Sequence, residues 1–210
     1  MAQIQEPPSA YNAKYPYNNV TPFIQSKIGK NLHLRKENPI GQMKKMIEEY
    51  FTQAHGFSVY DSLAPTVTTI QNFDDLLTPL DHVSRRPSDT YYVSETHLLR
   101  SHMTAHQSEL IRTGATSFLM AGDVYRRDEV DATHYPVFHQ IDGAKLWDST
   151  VDSTVIMEDL KTHLSGMIQK IFGNVEMRWI DAYFPFTHPS LELEILFEGR
   201  WLEVLGCGQI

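Results

Sequence analysis

Residues 122–143 read GDVYRRDEVDATHYPVFHQIDG and contain parts of two strand-like runs joined by a polar connection. Alternate side chains of a strand share a face. In the second run, Phe138, Gln140 and Asp142 therefore lie on one face, and the reverse face is mostly apolar. In the first run, Arg126 and Asp128 follow the same spacing. Together the two runs present a guanidinium, two carboxylates, an amide and an aromatic ring.

This polar face has two interpretations on physical grounds. Polar groups in the middle of a sheet are costly unless they have partners, so the face would bind a polar ligand. A guanidinium suits a phosphate, a carboxylate suits an amine, and a ring suits stacking. The same residues would also fit an ordinary solvent-facing hairpin with cross-strand ion pairs.

The surrounding pattern predicts an α+β fold, with an antiparallel sheet flanked by helices. Asn38, Pro39 and Gly56 are typical of a helix that begins after residue 38 and ends at residue 56, with Lys44 and its charged neighbours outward. A second helix is expected over 148–172. Strands joined by hairpins, with helices set apart in sequence, favour an antiparallel sheet. The predicted strands are 57–60, 118–128, 136–147, 176–180, 191–197 and 201–205.

Composition limits the class of protein. The 210 residues carry a net charge of −8 and include one cysteine, Cys207, so an internal disulfide is excluded. A single cysteine fits a reducing compartment or the mitochondrial matrix. No apolar run approaches the length of a membrane span. Residues 1–20 are expected to form an irregular arm, and 21–210 one domain. The first 17 residues resemble neither a signal peptide nor an Arg-rich transit peptide.

The acidic balance favours a small-molecule enzyme over a protein that grips nucleic acid by its phosphates. A local basic patch at residues 27–36 (Lys27, Lys30, Arg35, Lys36) leaves contact with RNA open. A solvated face near the start of a helix explains the same patch.

The spacing of these segments resembles the phenylalanine-specific class II tRNA synthetases, in their single-chain mitochondrial form. The sequence YRRD at 125–128, followed by His134 and by FHQIDG at 138–143, resembles the family's second signature motif. Four further segments agree in order: NFDDL at 72–76, HLLRSHMTAHQ at 97–107, YFPFTHP at 183–189 and WLEVLGCG at 201–208. The resemblance covers roughly residues 20 to 210.

The resemblance implies ATP-dependent activation of phenylalanine to phenylalanyl-adenylate, followed by transfer to tRNA(Phe). Arg126 matches the arginine that holds the α-phosphate, and Phe138 the ring that stacks on adenine. Asp128 would face the adenine amine, and His134 would lie near the outer phosphates. Glu203 is expected to contribute to a Mg²⁺ site. No other metal is expected.

The same resemblance assigns the amino-acid side. Gln140 and Asp142 match the pair that binds the substrate ammonium. The helix that closes over the amino acid would supply His102, Thr104 and Gln107. Phe184 and Phe186 flank Pro185 at i and i+2, so both rings are expected to face one pocket and to meet the substrate phenyl ring.

The resemblance also implies the protein's setting. The family continues beyond the equivalent of Ile210 into a third motif with a second ATP-binding arginine, and into an anticodon-stem domain. This chain therefore reads as an incomplete core, with tRNA bound mainly through regions it lacks. The full-length mitochondrial type is expected to be a monomer in the matrix. The alternative is a truncated isoform or paralogue that binds phenylalanine and ATP without full aminoacylation activity.

Two other kinds of site are compatible with the sequence. His97, His102 and His106 have helix-compatible spacings and would suit a zinc hydrolase, although Glu109 is the only acidic residue close by. Cys207 lies between two glycines with no base near it in sequence, which favours packing over nucleophilic chemistry.

Overall fold

The computed structural model describes residues 17–127, 129–131 and 134–210. The chain divides into two compact units, one ending at Lys145 and the other spanning Leu146–Ile210, and each is described by itself. The α-helices of the first unit are α1 (Pro22–Gln25), α2 (Pro39–His55), α3 (Thr69–Asn72) and α4 (Gln107–Arg112). Its strands are β1 (Ser58–Tyr60), β2 (Thr66–Thr68), β3 (His97–Leu99), β4 (Ser117–Tyr125) and β5 (Val137–Lys145). The second unit contains α5 (Ser153–Phe172), β6 (Met177–Phe184), β7 (Thr187–Phe197) and β8 (Arg200–Gly208).

Helix α2 begins and ends where its sequence predicts. The Asn38 side chain accepts a hydrogen bond from the backbone N–H of Ile40 at 3.0 Å, and Pro39 occupies the first turn. Gly56 adopts the left-handed conformation at φ 70° and donates to the carbonyls of the last turn. These are the ordinary N-terminal and C-terminal capping devices of a helix.

The expected orientation of Lys44 on α2 is wrong. Lys44 is buried, and its ammonium lies 2.7 Å from the Asp61 carboxylate and 2.6 Å from that of Glu48. Met43, an apolar residue of the same helix, is instead exposed. A buried ammonium is tolerated because two carboxylates offset its loss of water.

The first unit is built around the β4–β5 hairpin. The two strands pair antiparallel from Ser117↔Lys145 to Tyr125↔Val137. Strand β1 pairs with β4 in parallel, which the hairpin pattern did not predict. Beneath the hairpin lies a core of fully buried side chains that includes Met103, Phe118, Met120 and Val124. A separate antiparallel pair, β2–β3, carries Leu98 and Leu99 into the core.

The end of the N-terminal arm is fastened to the first unit. Residues 18–20 have no regular secondary structure, yet the Asn19 amide donates to the carbonyls of Pro87 and Thr90, both at 2.9 Å. Its side-chain oxygen accepts from the N–H of Tyr92. Residues 1–16 of the expected arm lie outside the described part of the chain.

The second unit is an antiparallel three-stranded sheet, β6–β7–β8, with α5 preceding it. Leu193 and Ile195 of the central strand are fully buried, and Phe172 at the end of α5 meets Phe197 edge to face. The β7–β8 turn has positive φ at Glu198 and Gly199, as a tight two-residue hairpin turn requires. None of the described helices is both long and apolar enough to cross a membrane.

Candidate active site

Strand β5 presents the predicted polar face. Phe138 packs on the apolar core beneath the hairpin, and Asp142, on the same face, accepts a hydrogen bond from the Thr104 hydroxyl at 2.5 Å. His139 points the other way, with its ring centre 5.7 Å from that of buried His33. The alternation predicted for this strand is therefore confirmed.

Asp142 is half-buried, and its carboxylate accepts a hydrogen bond from a neutral hydroxyl. Burial raises its pKa above the usual range of a carboxyl, while the hydroxyl and backbone of Thr104 and the nearby charge of Arg126 oppose that rise. A cationic hydrogen-bond donor would stabilise the ionised carboxylate in this position, because it would replace the hydration that burial removes.

Gln140 supplies a second acceptor on the same face, two residues away. Its side-chain oxygen is buried and has no hydrogen-bond partner among the described residues. Buried acceptors are nearly always satisfied in folded proteins, so this one indicates a ligand or water. Gln140 and Asp142 together match the needs of an ammonium group, which has three donors and no acceptor.

Arg126 follows the end of β4 and is held by two contacts. Its Nε donates to the carbonyl of Ser101 at 3.0 Å, and its guanidinium carbon lies 5.0 Å from the centre of the Phe138 ring. Its backbone N–H donates to the carbonyl of Pro136, which fixes the open end of the hairpin. A planar cation beside an aromatic face is a suitable surface for a nucleotide.

His102 is kept neutral by its surroundings. Burial, and then the neighbouring Arg126 charge, lower its pKa to about 4. Its Nε2 lies 3.1 Å from the carbonyl of Asn72, which can only accept, so the proton is on Nε2. Nδ1 is then an acceptor, buried and without a partner in the described part of the chain.

The expected closing helix is only partly helical. His97 lies in β3, and His102 precedes a 3-10 turn, Met103–His106. Gln107, the first residue of α4, is buried. The structure therefore brings Thr104 and His102 to the site on a turn.

His134 is exposed and bonded to its neighbour. Its Nδ1 lies 2.8 Å from the Asp131 carboxylate, which also accepts from the His134 backbone N–H. This local ring places an imidazole beside the open end of the hairpin. Asp128, the residue expected to face the adenine amine, lies outside the described residues.

The remaining predicted residues belong to the second unit. Phe184 ends β6 and Phe186 lies in the turn that follows, and both are half-buried. The i, i+2 argument from strand alternation does not apply there, so a shared pocket stays a prediction. A Cβ added at Gly206 would lie 2.5 Å from the Phe184 ring, so that ring packs over bare backbone.

Glu203 was expected to hold Mg²⁺. It is exposed on β8, opposite Glu194, whose own carboxylate pairs with Arg178. Mg²⁺ is commonly bound by one or two carboxylates together with phosphates and water. A single exposed carboxylate fits that mode, in which the nucleotide supplies most of the other ligands.

A buried cation behind the site was missed by the sequence analysis. Arg100 is 2% exposed, and its guanidinium donates to the Asp123 carboxylate and carbonyl at 2.8 and 2.7 Å. Further hydrogen bonds reach the Leu63 and Ala64 carbonyls and the His106 ring. The one available signal was an arginine that directly follows two leucines, in HLLR at 97–100.

The zinc and cysteine interpretations lose their support. Nε2 of His106 accepts from Arg100 and Nε2 of His102 bonds to Asn72, while His97 lies exposed on another element. Burial raises the pKa of the Cys207 thiol to about 11, which disfavours the thiolate a nucleophile needs.

Comparison with known proteins decides the family. A family model described as the tRNA synthetases class II core domain (F) matches residues 23–210. The chain belongs to the class II tRNA synthetases. The fold agrees: a pyrrolysyl-tRNA synthetase structure from Desulfitobacterium hafniense superposes with a TM-score of 0.57 at 14% identity, over 83% of this chain and 60% of that one.

Curated relatives of this class II synthetase core carry a more specific name. The chain is 54% identical over 202 residues to the chloroplastic/mitochondrial phenylalanine–tRNA ligase of Arabidopsis thaliana, covering 92% of this chain and 47% of that protein. It is 45% identical over 232 residues to the mitochondrial phenylalanine–tRNA ligase of Dictyostelium discoideum, covering 95% and 51%. The chain spans about half the length of these relatives.

Proposed function

We propose that this chain carries the adenylate-forming core of a phenylalanine–tRNA ligase that acts in mitochondrial translation. The observation that carries the proposal is the pair of buried acceptors on β5, the Asp142 carboxylate and the Gln140 oxygen, on a class II synthetase fold. Relatives at 45–54% identity bear that ligase name, which supports phenylalanine as the amino acid.

The amino acid binds through its ammonium. Asp142 supplies the counter-charge and Gln140 a second acceptor. The Thr104 hydroxyl donates to the Asp142 carboxylate and holds it in place. His102 and Gln107 close the same side of the site. Phe184 and Phe186 of the second unit set the preference for a phenyl side chain. An apolar pocket rejects an added hydroxyl by only about 10²-fold, so tyrosine is the expected near-cognate competitor.

The nucleotide binds across Arg126 and Phe138, with the α-phosphate at the guanidinium and adenine on the ring. Asp128 faces the adenine amine and His134 the outer phosphates. Glu203 would help to hold Mg²⁺, which would neutralise phosphate charge.

Chemistry proceeds in two steps. A carboxylate oxygen of phenylalanine attacks the α-phosphorus, the bond to the β-phosphate oxygen breaks, and pyrophosphate leaves. Arg126 stabilises the negative charge that develops on the α-phosphoryl oxygens, because its fork is fixed in advance by Ser101. A ribose hydroxyl of the tRNA end then attacks the acyl carbon, and AMP leaves.

The wider setting follows the same proposal. The substrates are phenylalanine, ATP and tRNA(Phe), the full-length protein is a monomer, and its compartment is the mitochondrial matrix. Residues 21–210 act as one catalytic domain, although they fold as two compact units.

The test is phenylalanine-dependent exchange of pyrophosphate into ATP. Arg126→Ala is expected to lower the exchange rate about 10²- to 10³-fold, as for removal of a preorganised donor in other enzymes. Arg126→Lys should restore little, since lysine lacks the planar fork. Arg127→Ala is the matched control, because that neighbouring arginine donates to the Pro87 carbonyl. Exchange equally well driven by other amino acids, or unaffected by Arg126→Ala, would contradict the proposal.

A further inference from the structure

Ser101 joins the two sides of the candidate site. Its carbonyl accepts the Nε–H of Arg126 at 3.0 Å, which orients the guanidinium assigned to the α-phosphate. The next residue is His102, which begins the turn that carries Thr104 to Asp142. A shift of Ser101 would therefore move the nucleotide-binding cation.

Asn72 holds Ser101 with both ends of its side-chain amide. Its oxygen accepts from the Ser101 backbone N–H at 3.0 Å, and its nitrogen donates to the Ser101 hydroxyl at 2.8 Å. The Asn72 backbone carbonyl also accepts from His102. Asn72 is 0% exposed and is the last residue of the short helix α3.

This arrangement leaves little freedom. The carboxamide of Asn72 donates one hydrogen bond to Ser101 and accepts another from it, and both residues are buried. These two bonds fix both the backbone and the hydroxyl of Ser101. Buried amides bonded at both ends are costly to disturb, because each broken bond leaves a desolvated polar group.

We propose that Asn72 is a positioning residue for adenylate formation, acting through Ser101 on Arg126. This inference rests on the proposed function. It assigns to Asn72 an effect mainly on the nucleotide side, because the Asn72 side chain bonds to Ser101, whereas the bond to His102 uses the Asn72 backbone carbonyl, which an alanine variant keeps.

The test compares Asn72→Ala with Gln71→Ala. Gln71 is the adjacent amide on α3, where it completes a capping box with Thr68 and contacts Glu109, so its loss weakens the same helix without touching Ser101. Asn72→Ala should lose more stability than Gln71→Ala, because the Asn72 bonds are buried whereas those of Gln71 are half-buried or exposed. Asn72→Ala alone should raise the KM for ATP or lower kcat in pyrophosphate exchange, by about 10²-fold in kcat/KM for a displacement of roughly 1 Å.

Phenylalanine affinity separates positioning from general destabilisation. The dissociation constant of phenylalanine, measured by calorimetry, should differ by no more than about 3-fold between Asn72→Ala and the unchanged chain. The substitution removes side-chain bonds to Ser101 and none to the residues assigned to the amino acid. Should Asn72→Ala fail to fold, Ser101→Ala removes one of the two side-chain bonds. It should lower kcat/KM for ATP about 5-fold, in line with about 1 kcal/mol per hydrogen bond.

The outcomes are distinct. If the unchanged chain shows no phenylalanine-dependent pyrophosphate exchange, the proposed function is wrong, and so is this inference. If the unchanged chain is active and Asn72→Ala matches Gln71→Ala, or phenylalanine and ATP are affected equally, the inference alone is overturned. An unaltered kcat/KM for ATP in Ser101→Ala overturns it as well.

Discussion

The Thr104 hydroxyl donates to the Asp142 carboxylate across 2.5 Å, although the two residues are 38 positions apart in sequence. Thr104 lies on a 3-10 turn and Asp142 on the central hairpin, so this bond closes the side of the candidate site that we propose binds the amino acid. Because burial still raises the pKa of Asp142, the hydroxyl does not fully replace water. The carboxylate is thus prepared for a cation.

Phenylalanine binding should therefore depend on pH through Asp142. The ammonium favours the ionised carboxylate, so binding lowers the raised pKa and releases a proton wherever the free chain holds one. Affinity should weaken as pH falls through that raised pKa. Calorimetric titrations in buffers of different ionisation enthalpy measure the released protons directly. Proton uptake on binding, or constant affinity from pH 7 down to pH 4, would contradict this role.

His102 should make the fold less stable in mild acid. Its folded pKa is about 4, whereas an unfolded histidine binds its proton near pH 6.5, so stability is lost as pH falls between those values. The loss attributable to this residue should be about 3 kcal/mol between pH 7 and pH 4. Urea unfolding of His102→Gln across this range should show a flatter dependence.

Lys44 and Lys45 offer a matched comparison of buried and exposed ion pairs. Lys44→Ala leaves Glu48 and Asp61 without their shared cation, so it should reduce the free energy of unfolding by about 3 kcal/mol. Lys45 is 72% exposed and pairs with Glu49 at 3.5 Å. Lys45→Ala should therefore change the free energy of unfolding by about 0.5 kcal/mol or less. Chemical denaturation measures both. Equal effects would show that the Lys44 contacts are not formed in solution.

Gly206 should be coupled to Phe184. A methyl group at Gly206 would stand 2.5 Å from the ring, so Gly206→Ala should cost about 1–3 kcal/mol of stability through overpacking. Phe184→Leu removes the opposing ring atoms. The double variant should then be more stable than the sum of the single effects predicts, by about 1 kcal/mol. Strictly additive effects in thermal or chemical unfolding would place the ring elsewhere.

Local features of this fold follow from local sequence. Several predicted features depend only on residues close together in the chain. They are the Asn38 cap, the Gly56 terminus, the alternation of Phe138, Gln140 and Asp142, and the turn at Glu198–Gly199. Backbone chemistry decides such features, so they could be predicted.

The missed features depend on distant partners. Lys44 faces inward because of Asp61, and Arg100 is buried because of Asp123, pairs separated by 17 and 23 positions. The parallel β1–β4 pairing joins segments about sixty residues apart. An argument from hydrophobic periodicity assigns every lysine and arginine to the surface. It therefore cannot predict a buried ion pair. The histidine spacing over 97–106 is compatible with a helix and also with the strand and turn that the structure shows, so the spacing alone could not distinguish them.

The most direct test of the account is whether the ammonium of phenylalanine is what Asp142 recognises. Calorimetry should compare L-phenylalanine with 3-phenylpropanoate, which keeps the ring and carboxylate but lacks the amine, on the unchanged chain and on Asp142→Asn. Only phenylalanine should bind measurably to the unchanged chain, and Asp142→Asn should weaken its binding about 10²-fold, as expected for loss of a charge-assisted hydrogen bond. Equal binding of the two compounds, or full phenylalanine affinity in Asp142→Asn, would contradict it.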